Sequence, residues 1–296
     1  MWGVEMAKLC REFRYSASVR LQRLFMFALA LMCLTSITNL RAHEFWIEPS
    51  TFQPNTKDTI TADLVIGTDF HGVAGIYVPD EIEAFDLIVG TEKRQKITGR
   101  YGDRPAGKFI VEHAGMNIIL HQTAPIYLIY SKVEKFDSFA REKGFESALA
   151  SHTARGLSSE RITERYQRFA KSLLAVGRGE ASRTGEDRKL GLRFELVAET
   201  NPYALPRPEV MTVRLFEGAN ALAGAQVTVF TKHDLRNVTH QKYKTDAGGR
   251  VSFPLLPGRD YLVDSVNLLP LDDPDEPRKA VWESLWASLS FHSPAK

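Results

Sequence analysis

Cysteine is almost missing from this chain: 296 residues contain two, Cys10 and Cys33. Both fall in the first 42 residues, so the remainder can form no disulfide, thiolate metal site or cysteine nucleophile. Long apolar runs are also missing. The longest, LFMFALALMCL at 24–34, falls short of the roughly 18 residues that a membrane-spanning helix needs. No familiar catalytic signature is present: there is no Gly-x-Ser-x-Gly elbow, phosphate loop, His-Glu-x-x-His helix or dinucleotide fingerprint. Nor does any carboxylate pair stand out as an acid–base couple. These absences point to a protein that is not an enzyme.

What is there begins with a leader. Lys8, Arg11, Arg14, Arg20 and Arg23 precede the apolar run, and the polar TSITN follows it. A basic segment, an apolar core of about 7–15 residues and a small residue before the cut describe a secretory signal peptide. Ala42 is the expected cleavage residue, so the mature chain is expected to start at His43, to be exported, and not to span a membrane. Losing residues 1–42 removes six of 38 Lys+Arg and two of 36 Asp+Glu, which leaves 32 against 34 and a net charge near −2. The basic excess belongs to the leader, and nothing in the rest favours nucleic acid.

From 43 to 131 the pattern is β. HEFWIEP, TITADLVIG, EAFDLIVG, GKFIVEH, MNIILHQ and PIYLIYS are short runs rich in Ile, Val, Phe and Tyr, separated by Gly, Pro and Asp. That punctuation predicts a first β-sandwich. Between 132 and 189 the period changes. Phe136, Phe139, Phe145 and Leu149 suggest one helix. Ser158 or Ser159 as a cap, then Ile162, Tyr166, Phe169, Ala170, Leu173 and Leu174, suggest a second, with Arg161, Arg165, Arg168 and Lys171 on its other faces. GRGEASRTGEDRK at 177–189 reads as a linker.

A second β region, 190–296, contains LRFELVAE, VMTVRLFEG, AQVTVF, GRVSFPL, RDYLVDSVNL and LWASLSFH. Its KTDAGGR stretch reads as a turn, because one Asp gives too few oxygens for a calcium loop. The expectation is a mainly β protein, with two immunoglobulin-like or transthyretin-like β-sandwich modules and a helical insert between them.

All eight histidines lie beyond residue 42. A mature N-terminal His43 has a distinctive chemistry. Its α-amine titrates near about 8, so a metal ion can displace that proton and bind the amine with the ring Nδ1. Such nitrogen donors suit copper, nickel, cobalt and zinc, copper most tightly. One bidentate residue needs further ligands, and His71, His113 and His121 share the predicted first sandwich with it. A copper oxidase with an N-terminal histidine brace is a more remote alternative, since it needs a second facing histidine. Trp46, Trp282 and Trp286 read mainly as core.

Several stretches together resemble a known family. They are HEFWIEP at 43–49, EKF at 134–136, EKGFE at 142–146, ERY at 164–166, FAK at 169–171 and LAVG at 174–177. ELV at 195–197, NPY at 201–203, TDAGGR at 245–250 and WESLWASLSF at 282–291 complete the set. The family is the exported bacterial group DUF4198, a domain of unknown function often described as the periplasmic component of cobalt or nickel uptake. The resemblance implies a periplasmic protein that binds nickel or cobalt and hands it to a membrane transporter or an outer-membrane receptor. His43 matches the family's N-terminal histidine. Members often carry a His-Met pair where this chain reads Val266-Asn267-Leu268. The alternative is a carrier- or receptor-binding module of a metal-chelate system, in which the protein itself binds no bare ion.

Overall fold

A computed structural model describes residues 43–295 apart from 91–92, 235 and 274–276. The expected leader, 1–42, lies outside the described residues. Ala42–Lys296 form one compact unit.

The chain is mainly β, in three sheets. A four-stranded sheet holds β1 (Glu44–Pro49), β2 (Thr59–Thr68), β3 (His71–Ala74) and β6 (Gly107–Ile110). A second holds β10 (Phe194–Ala198), β11 (Val210–Glu217), β12 (Asn220–Ala221) and β15 (Arg250–Pro254). Between them runs a nine-stranded sheet. It takes β4 (Ile82–Val89), β5 (Lys93–Lys96), β7 (Gly115–Thr123), β8 (Ile126–Tyr130) and β9 (Ile162–Val176) from the first half of the chain. From the second half come β13 (Gln226–Lys232), β14 (Val238–Lys244), β16 (Arg259–Pro270) and β17 (Trp282–Ser293).

The runs that alternate or continue in Ile, Val, Phe and Tyr are the observed strands, as expected. Among the described residues the α-helices are α1 (Val133–Glu142) and α2 (Ala148–Ala154), both shorter than expected. The expected second helix is instead β9, fifteen residues long. It pairs antiparallel with β7 and β8 and parallel with β17. The physical reason lies in burial on both faces. Phe169, Leu173 and Ala175 enter one core, while Ala170, Leu174 and Val176 enter another. A strand covered on both sides loses its polar alternation, and its apolar positions then mimic helical spacing. Arg165 and Lys171, which look like a solvated helix face, instead pair with the carboxylates of Glu283 and Glu195, and Arg168 sits among aromatic rings. Ser158 does not cap a helix; its Oγ accepts the Glu160 N–H at 3.3 Å in a turn.

The central sheet draws strands from both sides of the boundaries expected at 131 and 189, and β9 lies between them.

The layers follow from alternation. Residues such as Leu285, Leu289, Phe291 and Val263 face the β10–β11–β15 sheet and form the largest core. Phe85, Leu87, Ile119 and Leu174, on the opposite face, pack against Phe45, Ile47, Ile60 and Leu64 of the β1–β2 sheet. On that same face α1 and α2 cover Trp282, Trp286, Val266 and Ile162. β1 pairs with β2 along one edge only, and on its other side the Ser290 Oγ of β17 donates to the Ile47 carbonyl at 2.6 Å. Trp282 and Trp286 are core residues, 3% and 7% exposed. The KTDAGGR turn is closed by Asp246, whose Oδ1 accepts the N–H of Gly248 and of Arg250, both at 2.8 Å.

Candidate functional site

β2 and β3 are joined by a two-residue turn, Asp69-Phe70, with Thr68 opposite His71. Both turn residues have positive φ, +53° and +60°, the backbone of a tight hairpin turn whose twist matches the strands. For phenylalanine that conformation is unfavourable. Burial compensates, since the Phe70 ring meets Trp46 edge-on at 5.3 Å within a small core with Phe230 and Leu262. Gly67 and Gly72 face each other just behind the turn, and a Cβ on Gly67 would lie 1.9 Å from the His71 carbonyl oxygen. Glycine is therefore required there.

This turn gathers histidines. The ring Nδ1 of exposed His43 lies 3.1 Å from Thr68 Oγ1, and Thr68 is the register partner of His71. The His71 Nδ1 sits 2.9 Å from the Asp69 carbonyl oxygen. His240, on β14, brings its Nδ1 within 3.7 Å of the Asp69 carboxylate. Thus His43, His71, Asp69 and His240 ring one exposed hairpin. Among the described residues no three His, Asp or Glu side chains stand in positions that could hold a metal ion without moving. Imidazole and carboxylate are donor types that transition-metal ions accept.

His113 and His121 do not join them. His113 is exposed, with its Nε2 3.1 Å from the Lys93 ammonium, a neighbour that opposes a cation. His121 lies six residues along the extended β7, about 20 Å from that strand's start, so those two cannot share an ion. It is 2% exposed, wedged between the Phe45 and Phe85 rings at 5.3 Å each. Burial, with the Arg168 charge adding to it, pushes the ring down to about 3, so His121 is neutral. Spacing along the first sandwich suggested His113 and His121; the strand's length and the closed aromatic slot separate them. His240 had no sequence signal, since only the pairing of β13 with β14 carries it to the hairpin.

Beneath the hairpin lies a buried charge network. Glu44, 3% exposed, accepts the Asp69 N–H at 3.2 Å and the Lys143 ammonium at 3.0 Å. Lys143, at the end of α1, also reaches Asp264 of β16 at 3.5 Å. Burial raises Asp264 to about 6, against the lowering pull of Lys143. Lys143 further lies 4.9 Å from the Trp286 ring. One carboxylate thus holds the turn backbone from inside while the histidines stand outside it.

A second buried carboxylate, Glu164 of β9, accepts hydrogen bonds from Tyr130 Oη at 2.6 Å and from Ser284 Oγ. Burial raises it to about 6 despite those bonds. Because this folded value exceeds the unfolded one, the stabilising contribution is complete below about 4.5 and is lost as pH rises through 6. A shift of that size corresponds to about 2 kcal/mol. Glu164→Gln should therefore gain about 2 kcal/mol relative to the wild type between pH 4 and pH 7. Urea unfolding at the two pH values measures it, and a pH-independent difference would refute the assignment.

The family described as a domain of unknown function, DUF4198, matches residues 40–267 of this chain. That span includes HEFWIEP, EKGFE and ERY, which supply Glu44, Lys143 and Glu164; WESLWASLSF lies beyond it. No functionally curated protein matches the chain. Among solved structures, the chain is similar to the D0–D1 domain of intimin at 12% identity, over 84% of this chain and 97% of the other, with a TM-score of 0.20. It is also similar to a tetra-tandem repeat in the extending region of a large adhesion protein at 12% identity, over 85% and 50%, with a TM-score of 0.21. No helix among the described residues is long and apolar enough to cross a membrane.

Proposed function

The chain belongs to the DUF4198 family, and from that premise we propose that it is an exported, periplasmic protein that binds a nickel- or cobalt-type ion and passes it to a transporter. The ion is cargo. The residues that would hold it are His43, through ring and α-amine once the leader is removed, together with His71, His240 and Asp69. The observation that carries this reading is the convergence of those groups on the Asp69-Phe70 hairpin, where His43 already bonds Thr68. Glu44 acts as a positioning residue, fixing the turn through the Asp69 N–H. The protein performs no catalysis in this reading, and copper and zinc are competing ions on donor grounds. The partner is a membrane transporter or an outer-membrane receptor. We also read the two β regions as immunoglobulin-like modules joined through the shared sheet, with α1 and α2 as the insert between them.

The experiment compares protein beginning at His43 with protein carrying one extra alanine before it, titrated with nickel and cobalt by calorimetry. The extension blocks the amine chelate and should weaken binding at least about tenfold, which is about 1.4 kcal/mol. His71→Ala and His240→Ala should each weaken it in the same direction. Unchanged affinity in the extended protein would refute the N-terminal chelate. Absence of any binding by the cleaved protein would favour the carrier-binding alternative, in which only a metal chelate is recognised.

A further inference from the structure

The face of the central sheet that carries β1 and the helices has a seam between those two covers, and Arg168 of β9 lies in it. Its guanidinium carbon is 5.4 Å from the Phe45 ring, 4.9 Å from Tyr166 and 5.9 Å from Trp286. Its Nε is enclosed and has no hydrogen-bond partner. The two carboxylates that act on it through space are engaged elsewhere, Glu164 with Tyr130 and Ser284, and Asp264 with Lys143. Arg168 itself forms no ion pair among the described residues. Aromatic faces attract a guanidinium, yet they leave its N–H fork without the oxygen acceptors it is shaped for.

A second unpartnered group adjoins it. His121 pairs with Ala170 across the β7–β9 register, so it is the diagonal neighbour of Arg168 on the same face. It is 2% exposed, and neither ring nitrogen has a partner. Buried polar atoms are satisfied in nearly all proteins, and here the Arg168 Nε and both nitrogens of a neighbouring imidazole have no partner. Arg168 retains partial exposure.

We propose that Arg168 anchors a binding site for a small organic carboxylate, with Phe45, Tyr166 and Trp286 flanking the carbon body. The guanidinium takes both carboxylate oxygens through parallel N–H···O bonds, and the rings favour a planar body over a bare anion. This site is separate from the hairpin histidines and does not depend on the metal reading. It implies that the protein receives an organic acid as ligand, whether free or as part of a larger molecule.

The test uses the whole cleaved protein with benzoate as probe, and with benzamide and inorganic phosphate as comparisons. Calorimetry should show saturable one-to-one binding of benzoate at concentrations up to about 10 mM. Benzamide and phosphate should bind at least tenfold more weakly. Arg168→Lys, which keeps the charge and loses the fork, should weaken benzoate binding at least tenfold. In the wild type, benzoate should shift the nuclear magnetic resonance signals of Arg168 Nε–H and the Trp286 indole N–H. That measurement decides the matter even if the variant fails to fold. Absence of benzoate binding, equal binding of phosphate, undiminished binding by folded Arg168→Lys, or shifts confined to other residues would each overturn the proposal.

Discussion

Lys171→Met is expected to lower the free energy of unfolding by about 3–5 kcal/mol, the usual cost of removing one partner from a buried ion cluster. Lys171 is 1% exposed, and its ammonium lies 2.5 Å from Asp187 and 3.2 Å from Glu195, both with fully buried carboxylates. It also donates to the carbonyls of Arg188 at 3.0 Å and Leu196 at 3.1 Å. Without the lysine two carboxylates remain inside with no counter-charge. Both hold backbone as well: Asp187 accepts the Ala198 N–H, and Glu195 accepts those of Leu190 and Leu192. The cluster therefore ties the 187–192 segment and β10 to β9. Urea unfolding measures the change, and a loss under about 1 kcal/mol would show that the carboxylates find other partners.

Lys143→Met should cost a similar amount, about 3–5 kcal/mol near pH 8, but with a pH dependence of its own. Asp264 has Lys143 as its only side-chain partner in the network, while Glu44 keeps the Asp69 N–H. Asp264 already sits near 6 with the lysine in place, and removing the cation moves it higher. A carboxyl group raised in the folded state stabilises at low pH, and that contribution disappears as pH rises through the folded value. The difference between wild type and variant should therefore be smaller at pH 5 than at pH 8. Parallel urea curves at the two values test it; a constant difference would mean that Asp264 does not take up the proton. Because Glu44 holds the hairpin, the same variant should also loosen ion binding at His43 and His71.

The strands were legible because Ile, Val, Phe and Tyr runs broken by Gly, Pro and Asp leave few other conformations for 43–131 and 190–296. β9 was not, since a strand buried on both faces carries no alternation, and Arg165 and Lys171, paired with Glu283 and Glu195, look identical in sequence to cations in water. Of the expected ligands, His43 and His71 each lie beside Thr68, His43 through its ring nitrogen and His71 as the register partner across the two-residue turn. His113 and His121 do not, because distance along an extended strand is large for few residues. His240 and Arg168 were hidden for a common reason: each depends on contacts between segments more than a hundred residues apart. Glu44 carries no signal of its own within the HEFWIEP run, because its partners, the Asp69 N–H and Lys143, are 25 and 99 residues away in sequence.

The position of β17 bears on the order of assembly. It lies inside the nine-stranded sheet, hydrogen-bonded to β16 on one side and to β9 on the other. Until residues 282–293 have been made, β9 has one open edge over the stretch from Glu164 to Ser172, and the two halves of the sheet have nothing to join them. An N-terminal portion of the chain is then a set of hairpins with an exposed apolar strand edge, a form prone to mispairing with other chains. Folding of this protein waits on its last long strand, and the pairing that completes it spans more than a hundred residues, which slows the step by the entropy of closing so long a loop.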